Sequence, residues 1–383
     1  MKELYFILGL FFVLLTAFII VVISETASAG STSSIRKYSF TSTGPLRFHL
    51  VGDWGDLRKS TKKEDNGTLP VTYVADAMRI QASKKPISMV ISVGDNIYEK
   101  PKGKFDERFY TLMFKDFDYG SIAMKPWYLV LGNHDCYSGV DDELDMDELF
   151  PMWNMPSAYY NKTFPLGEHN VAGFAFLNGC EVACEDWKSY KGVDECGDMS
   201  FNPTNKSITE EYNWLEGVLK DWSMNPDMVW RVVVVHQGMF SISKWHGDNE
   251  AMKKRLFPLL QKYSVDAMMS GHDHSMQYYY IKHDAQFIPG NYSDSTCGST
   301  TSHTVGGKTS YSFKKGDIHE FLMGASGAEI AEICPGRTTQ MADLLYANST
   351  YGFADVYMDT YTFKVSYLNA HDASRLFEVT IQA

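Results

Sequence analysis

Five apolar runs in this chain have one feature in common, which is that each ends at an acidic, amide or imidazole side chain. FHLVG runs into Asp53, MVISVG into Asp95, YLVLG into Asn133, RVVVV into His236 and AMMSG into His272. Apolar runs that end at a turn predict buried β-strands. Any one of these polar residues could simply stabilise a turn, since Gly-Asp turns are common. Five such endings together predict one site, because ligands gather at the carboxyl ends of strands in layered α/β folds.

Helical patterns alternate with these strands. Residues 71–83 have apolar side chains at helical spacing, and residues 209–222 begin with acidic residues, which favour a helix N-terminus. Strands and helices mixed in this way predict a layered α/β sandwich in one domain. Residues Gly298–Lys315 are rich in Gly, Ser, Thr and Lys, so a mobile insertion is expected there.

The N-terminus has the pattern of an export signal. Leu4–Ile23 is a long uncharged apolar run, and the small residues Ala27 and Ala29 follow it. This pattern predicts a signal peptide over residues 1–29, cleaved after Ala29, and therefore a protein that is secreted or reaches the lysosomal or vacuolar lumen. Because the run is also long enough to span a bilayer, an uncleaved N-terminal membrane anchor is the alternative.

Cysteine and glycosylation motifs agree with export. An even number of cysteines behind an export signal predicts disulfide bonds, and six cysteines leave many pairings open. Asn-x-Ser/Thr motifs predict N-glycans on surface loops. The cysteines are Cys136, Cys180, Cys184, Cys196, Cys297 and Cys334. The glycosylation motifs begin at Asn66, Asn161, Asn205, Asn291 and Asn348.

The charge of the chain argues against one class of partner. The formal net charge is −12 at pH 7. An acidic surface repels the phosphate backbone of nucleic acids, so we expect no nucleic-acid partner.

The strand-end motifs together resemble those of a known enzyme family. GDWG, GDNIY, GNHD, VVVH and GHDH follow one another in the order seen in the purple acid phosphatases, and WNMPSAYY and YNWLEGVL resemble the small, tartrate-resistant type. The resemblance spans about Leu46 to Ala370. It implies the metallophosphoesterase fold, an α/β-β/α sandwich of two mixed sheets flanked by helices. That fold would form a single calcineurin-like domain at residues 46–383, after a Ser/Thr-rich leader at residues 30–45.

The same resemblance implies a binuclear metal centre of Fe(III) and a divalent ion, which could be Fe, Zn or Mn. The implied ferric ligands are Asp53, Asp95, Tyr98 and His274. The implied divalent ligands are Asp95, Asn133, His236 and His272, with Asp95 bridging. The donor chemistry agrees, because carboxylate and phenolate oxygens suit a hard trivalent ion, whereas imidazole and amide oxygen suit a borderline divalent one. In the family, the bond between iron and the tyrosine phenolate gives the purple colour.

Two further histidines match substrate-side positions of the family. His134 directly follows Asn133, and adjacent side chains point apart, so His134 can face the phosphate ester and protonate the leaving oxygen. Asp135 could orient His134 or simply stabilise the turn. His246 lies near the second substrate-side histidine, although its loop, SKWHG, is one residue longer than the family loop.

The predicted function is an acid phosphatase that hydrolyses small phosphate monoesters or phosphoproteins through a metal-bound hydroxide. One alternative is a membrane scaffold on the same fold, like the glideosome-associated proteins of apicomplexan parasites, with weak or no activity. Those scaffolds lose metal ligands, whereas this sequence keeps all of them, and a membrane role would require the N-terminal segment to be retained. A phosphodiesterase or nucleotidase of the wider superfamily is the other alternative, against which Tyr98 argues.

Overall fold

The structure is a computed structural model of the chain, and it describes residues 36–40, 42, 44–58, 67–137, 140–183, 204–288, 300–337 and 341–383. Every element named below belongs to one compact unit, residues 37–383. Within the described ranges, no helix is long and apolar enough to cross a membrane. Several predicted features lie outside the described residues: the signal peptide, Cys184, Cys196, Cys297, and the glycosylation motifs at Asn66 and Asn291.

Eight strands form the first sheet. They are β1 (Leu46–Val51), β2 (Met89–Ser92), β3 (Trp127–Leu129), β4 (Trp153–Asn154), β11 (Ser310–Lys314), β14 (Gly352–Met358), β15 (Thr362–Asn369) and β16 (Arg375–Gln382). Their order across the sheet is β11-β16-β15-β14-β1-β2-β3-β4. Strands β1, β2 and β3 run parallel, whereas β14 is antiparallel to β1. The segments that carry Asp53, Asp95 and Asn133 therefore leave the sheet at the same edge.

Eight strands also form the second sheet. They are β5 (Tyr160–Pro165), β6 (Val171–Phe176), β7 (Met228–Val234), β8 (Ala267–Ser270), β9 (Met276–Ile281), β10 (Ser302–Thr304), β12 (Ile318–Met323) and β13 (Asp343–Asn348). Their order is β10-β13-β9-β12-β8-β7-β6-β5. Strands β6, β7, β8 and β12 run parallel, so His236 after β7 and His272 after β8 also leave from one edge.

Aromatic side chains from the two sheets meet in the core between them. Phe48 of β1 lies edge-on to Phe174 of β6 with ring centroids 5.8 Å apart. Farther along the sheets, Tyr346 of β13 stacks on Phe377 of β16 at 4.4 Å. Each such pair contributes about 0.5–1.5 kcal/mol beyond its area burial, so these contacts help to hold the two sheets face to face.

Helices flank the two sheets. They are α1 (Pro70–Lys84), α2 (Glu107–Tyr110), α3 (Asn133–Cys136), α4 (Asp141–Leu144), α5 (Met146–Leu149), α6 (Gly179–Val182), α7 (Asn205–Met224) and α8 (Glu250–Lys262). Helix α1 lies against β14. Leu215 of α7 and Leu256 of α8 share a second apolar cluster with Val233 of β7. The predicted fold class, two mixed sheets flanked by helices, is confirmed.

Local sequence signals start the long helices. Pro70 opens α1, where a missing backbone N–H costs nothing. Helix α7 begins after Thr204, whose side-chain oxygen accepts a hydrogen bond from the Ser207 amide at 3.0 Å. Helix α8 begins after Asn249, whose side-chain oxygen accepts from the Met252 amide at 3.0 Å. Both caps satisfy backbone donors that a helix leaves unpaired at its first turn.

The expected mobile insertion at Gly298–Lys315 is wrong for the residues that the structure describes there. Residues 302–304 form β10 and pair with β13, and residues 310–314 form β11 and pair with β16. The reason is the alternation within SYSFK, in which Phe313 stacks on Tyr280 with ring centroids 4.6 Å apart. The Gly, Ser, Thr and Lys content of residues 298–315 is that of a loop, but the alternation of polar and aromatic residues within SYSFK is that of a strand.

Candidate metal centre

Three of the predicted site residues have left-handed backbone at the turns after their strands. The φ angle is 56° at Asp53, 50° at Asp95 and 70° at His272. Non-glycine residues rarely adopt positive φ, and strain of this kind clusters at functional sites. The turns therefore hold these side chains at a cost in backbone energy.

Glycines allow the turns to approach one another closely. A Cβ atom on Gly132 would lie 2.1 Å from Oδ1 of Asp95, and one on Gly94 would lie 2.6 Å from Nδ1 of His236. No side chain fits at such distances, so the GDN and GNH turns can pack together only with glycine at these two positions.

Four of the predicted residues form what we call the tyrosine cluster: Asp53, Asp95, Tyr98 and His274. The Tyr98 hydroxyl donates to Oδ2 of Asp95 at 2.6 Å and lies 3.1 Å from both Oδ1 of Asp53 and Nε2 of His274. Ligand atoms of the two aspartates and His274 all lie within 4.8 Å of one another, a spacing that one metal ion could bridge. Both aspartates and Tyr98 are buried.

Asp95 also belongs to a second group, the asparagine cluster: Asp95, Asn133, His236 and His272. Oδ1 of Asn133 lies 3.1 Å from Nε2 of His236 and 3.0 Å from Nδ1 of His272. The same Nε2 atom lies 3.4 Å from Oδ1 of Asp95. One oxygen of Asp95 thus faces each cluster, which is the arrangement required of a bridging carboxylate.

Backbone carbonyls orient two of the histidines. Nδ1 of His236 lies 2.7 Å from the carbonyl of Val93, and Nδ1 of His274 lies 2.6 Å from the carbonyl of Glu329. A carbonyl only accepts hydrogen bonds, so Nδ1 carries the proton, and in a neutral ring Nε2 keeps its lone pair. For His236 that lone pair would face the oxygens of Asn133 and Asp95. This contact is unfavourable unless a cation lies between them, so the donor set fits a metal ion.

The electrostatics of the tyrosine cluster also fit a cation. Burial raises the pKa of the Tyr98 phenol well above its ordinary value, and the charges of Asp53 and Asp95 raise it further. Burial alone would raise the pKa of Asp95, but His236, His134 and the Tyr98 hydrogen bond outweigh it and hold that pKa at about 2. The phenol can therefore ionise only when a bound cation displaces its proton, as metals do with their ligands.

His134 lies beside the tyrosine cluster and is half-buried. Its ring is 4.3 Å from the ring of Tyr98, and its Nδ1 lies 2.7 Å from the carbonyl of Glu99. Among the described residues, no hydrogen bond joins the Asp135 carboxylate to the His134 ring. Its carboxylate instead accepts from the backbone amides of Gly132 at 2.7 Å and Asn96 at 2.9 Å, which joins two of the site's turns.

His246 reaches the site despite its longer loop. Its ring lies 4.1 Å from the ring of His272, and its carbonyl accepts from Arg337 at 2.8 Å. The neighbouring Trp245 lies against His274 with ring centroids 5.3 Å apart. The structure therefore brings every predicted site residue to one edge of the two sheets, while their roles stay predictions. These residues are Asp53, Asp95, Tyr98, Asn133, His134, His236, His246, His272 and His274.

The sequence did not predict that a positively charged arginine side chain lies next to the tyrosine cluster. The guanidinium of Arg58 lies 5.1 Å from the centroid of the Tyr98 ring. Asp56 holds it through two hydrogen bonds of 2.9 and 2.8 Å. The GDWGDLR sequence contains both residues, but nothing local to it indicates that Arg58 folds back over a tyrosine 40 positions later.

A disulfide lies under the site. Cys136, the last residue of α3, is bonded to Cys180 of α6. Helix α3 also carries Asn133 and His134, so the bond ties this turn of the first sheet to an element that follows β6 of the second. Cys334 is also disulfide-bonded. Disulfides were predicted, but the sequence left their pairing open.

Comparison with known proteins assigns the class. The profile of the calcineurin-like phosphoesterase family matches residues 46–276, which contain every residue of both clusters. The chain belongs to this family of phosphoesterases.

Individual relatives narrow the resemblance to purple acid phosphatases, as the motifs predicted. Tartrate-resistant acid phosphatase type 5 of Oryctolagus cuniculus is 26% identical over 268 residues, which cover 69% of this chain and 78% of the relative. Purple acid phosphatase PPD1 from seeds of yellow lupin (Lupinus luteus) has a TM-score of 0.54 at 18% identity, covering 91% of this chain and 55% of that one. GAP50, the anchor in the inner membrane complex of Plasmodium, has a TM-score of 0.59 at 18% identity, covering 88% of each chain. The two structural likenesses show a shared fold.

Proposed function

We propose that the protein is an acid phosphatase that hydrolyses phosphate monoesters at a binuclear centre of Fe(III) and a divalent ion. The observation that carries the proposal is the position of Asp95, whose two oxygens face two separate ligand clusters. The tyrosine cluster would hold the ferric ion and the asparagine cluster the divalent ion. When bound, the two ions would neutralise charge on the phosphate and acidify the attacking water.

His134 is the proposed proton donor to the leaving oxygen. The Glu99 carbonyl fixes a proton on Nδ1 of His134, which leaves Nε2 to hold the proton that the leaving group takes. Its backbone amide donates to Oδ1 of Asp95 at 3.0 Å, so its position is tied to that of the shared carboxylate. His246, packed on His272, would contact the phosphate from the other side.

Two further lines support the proposal. The relative from Oryctolagus cuniculus is named an acid phosphatase, and it matches over more than two thirds of each chain. Tyr98, which distinguishes the ferric site of purple acid phosphatases, lies within hydrogen-bonding distance of three other groups of the tyrosine cluster.

The test is metal analysis and enzymology on the purified protein. We expect one iron and one divalent ion per chain, a visible absorption band, and hydrolysis of phosphate monoesters with an optimum in mild acid. His169→Ala is a suitable control because His169 is exposed and outside both clusters. A protein that binds neither ion and hydrolyses no monoester under any of these conditions would refute the proposal.

A membrane scaffold is the second candidate. Its support is the fold likeness to GAP50 over 88% of each chain, together with the long apolar run Leu4–Ile23. A scaffold would co-sediment with vesicles through that run and would show no metal-dependent turnover. The measurements above therefore separate the two candidates, because a scaffold predicts little or no turnover even when the protein is supplied with iron and zinc.

We also propose that the protein enters the secretory pathway and reaches the cell exterior or a lysosomal or vacuolar lumen. The apolar run and the small residues before Gly30 support this, as does the Cys136–Cys180 disulfide. Asn161 is exposed on β5, where a glycan would meet solvent. N-terminal sequencing should find Gly30 first, and a glycosidase should lower the apparent mass. An intact apolar run would instead identify the anchored form.

A further inference from the structure

Trp245 is the only tryptophan among the described residues whose side chain is exposed, and it lies at the rim of the candidate site. Its side chain is 41% exposed. The indole meets the ring of His274 nearly at a right angle, with an interplanar angle of 81° and centroids 5.3 Å apart. Single exposed apolar residues are common on proteins, so exposure alone carries little weight. Trp245 differs from such residues because it lies beside His274, a predicted metal ligand.

The segment that carries Trp245 is held firmly by a distant part of the chain. The backbone amide of Trp245 donates to Oγ of Ser243 at 3.1 Å, and the amide of Lys244 donates to the carbonyl of Glu332 at 2.8 Å. The Lys244 ammonium also lies 2.7 Å from the Glu332 carboxylate. Because the backbone that carries the indole is already fixed, little further ordering of this segment would be needed when a ligand binds against Trp245.

We infer that Trp245 determines specificity by binding an aromatic ring in the leaving group of the phosphate ester. This inference rests on the proposed function and names its substrate class, phosphate monoesters with an aromatic ring close to the ester oxygen. Trp245 lies beside the tyrosine cluster and His246 lies over the asparagine cluster. A phosphate placed over both clusters would bring a ring one or two bonds away within reach of the indole.

The indole should favour an aromatic ring over a saturated ring of similar size. Aromatic pairs with centroids about 4.5–7 Å apart gain electrostatic energy beyond their area burial, whereas a saturated ring gains only the burial. Measured pairs of this kind correspond to roughly 2- to 10-fold in binding. Trp245 should therefore change the ratio between two matched esters rather than the rate for both.

The experiment compares benzyl phosphate with cyclohexylmethyl phosphate, whose leaving groups are both primary alcohols. In the wild-type protein we expect a higher kcat/KM for the benzyl ester. Trp245→Leu should lower that ratio by roughly 2- to 10-fold, and Trp245→Phe should keep most of it. Tyr361→Leu is the control, since Tyr361 is 73% exposed and lies in the turn between β14 and β15, away from the site edge.

A ratio that stays the same in Trp245→Leu, or falls equally in Tyr361→Leu, would overturn the inference. If the wild-type protein hydrolyses neither ester, calorimetric titration decides the inference, and the metal analysis and wider set of monoesters described above decide the proposed function separately. In that case the metal-loaded protein should bind benzylphosphonate more tightly than cyclohexylmethylphosphonate, and Trp245→Leu should remove the difference. Equal binding of the two phosphonates by the wild-type protein would overturn it.

Discussion

The two ligand clusters share Asp95 but differ in the charge that they can present to an ion. In the tyrosine cluster, Asp53, Asp95 and Tyr98 can all become anionic. The two carboxylates lie within 3.1 Å of the Tyr98 hydroxyl. In the asparagine cluster, Asp95 is the one acid, and an amide oxygen and two imidazoles complete the group. Two ligand clusters at one edge of the two sheets can therefore distinguish two cations by the donor atoms that they offer. The cluster with more anionic oxygen favours the ion of higher charge, and the cluster with more nitrogen favours the borderline ion.

Replacing the shared carboxylate should have the largest effect. Asp95→Ala removes a ligand from both clusters at once, so we expect both ions to be lost and turnover to fall by more than about 10⁴-fold, beyond the range of one missing general acid. Metal analysis and kinetics on the same preparation measure both effects. Asp372→Ala, an exposed acid outside the site, is the control. Loss of only one ion would show that Asp95 serves one cluster and not the other.

His134→Ala should have the next largest effect, and it should leave both clusters intact. A missing general acid typically costs about 10²–10⁴-fold, and we expect a loss of turnover in that range with unchanged metal content. The loss should shrink for p-nitrophenyl phosphate, because a good leaving group needs less protonation. Comparing that ester with an alkyl phosphate measures the difference. If the variant loses metal, or keeps full turnover on the alkyl ester, the role given to His134 is wrong.

Asn133→Ala should weaken one cluster selectively. Asn133 supplies the oxygen that lies near both His236 and His272, so we expect the affinity for the divalent ion to fall by roughly 10- to 100-fold. Iron and colour should remain, because the tyrosine cluster is untouched. Equilibrium titration with zinc, followed by calorimetry, measures the shift. A colourless variant would mean that the clusters are not separable in this way.

Tyr98→Phe should have the smallest effect on turnover and the clearest effect on colour. Asp53, Asp95 and His274 remain to hold iron, so we expect iron content to be kept and the rate to fall by less than about 10²-fold. The visible band should vanish, because phenylalanine offers no oxygen to the ion. Absorption spectra of the two proteins at equal iron content provide the measurement. A variant that contains iron and stays purple would contradict the ligand set of the tyrosine cluster.

The parts of the site that follow directly from strand endings could be predicted from sequence. The residues that stand two to four positions after the end of a β-strand are Asp53, Asp95, Asn133, His236 and His272, and parallel strands bring such positions together. Tyr98 and His274 entered through their motifs. The layered α/β class was predicted for the same reason, because buried strands and amphipathic helices have clear local patterns, whereas the arrangement in two mixed sheets was implied by the family resemblance.

The remaining features depend on contacts between distant segments. Trp245 reaches His274 because its segment pairs with residues near Ile333, and no local pattern indicates that pairing. Cys136 lies next to Cys180 because of where the two sheets place β3 and β6, and the sequence does not indicate that placement. The strands at residues 302–304 and 310–314 have the composition of a loop, and they form by pairing with β13 and β16. For Trp245 and for the disulfide, the deciding information is topology, which short windows of sequence do not contain.

The left-handed backbone at Asp53, Asp95 and His272 means that the side chains needed for the proposed function are held at a cost in stability. Each residue holds a conformation that glycine adopts without strain, at a cost on the order of 1 kcal/mol for any other side chain. Among variants that all lack the functional side chain, glycine at position 95 should therefore give a higher melting temperature than alanine. A chain selected for thermal stability alone would place glycine at all three positions, and it would fold well and catalyse nothing. Retaining Asp53, Asp95 and His272 there is expected if these side chains are needed for the proposed chemistry.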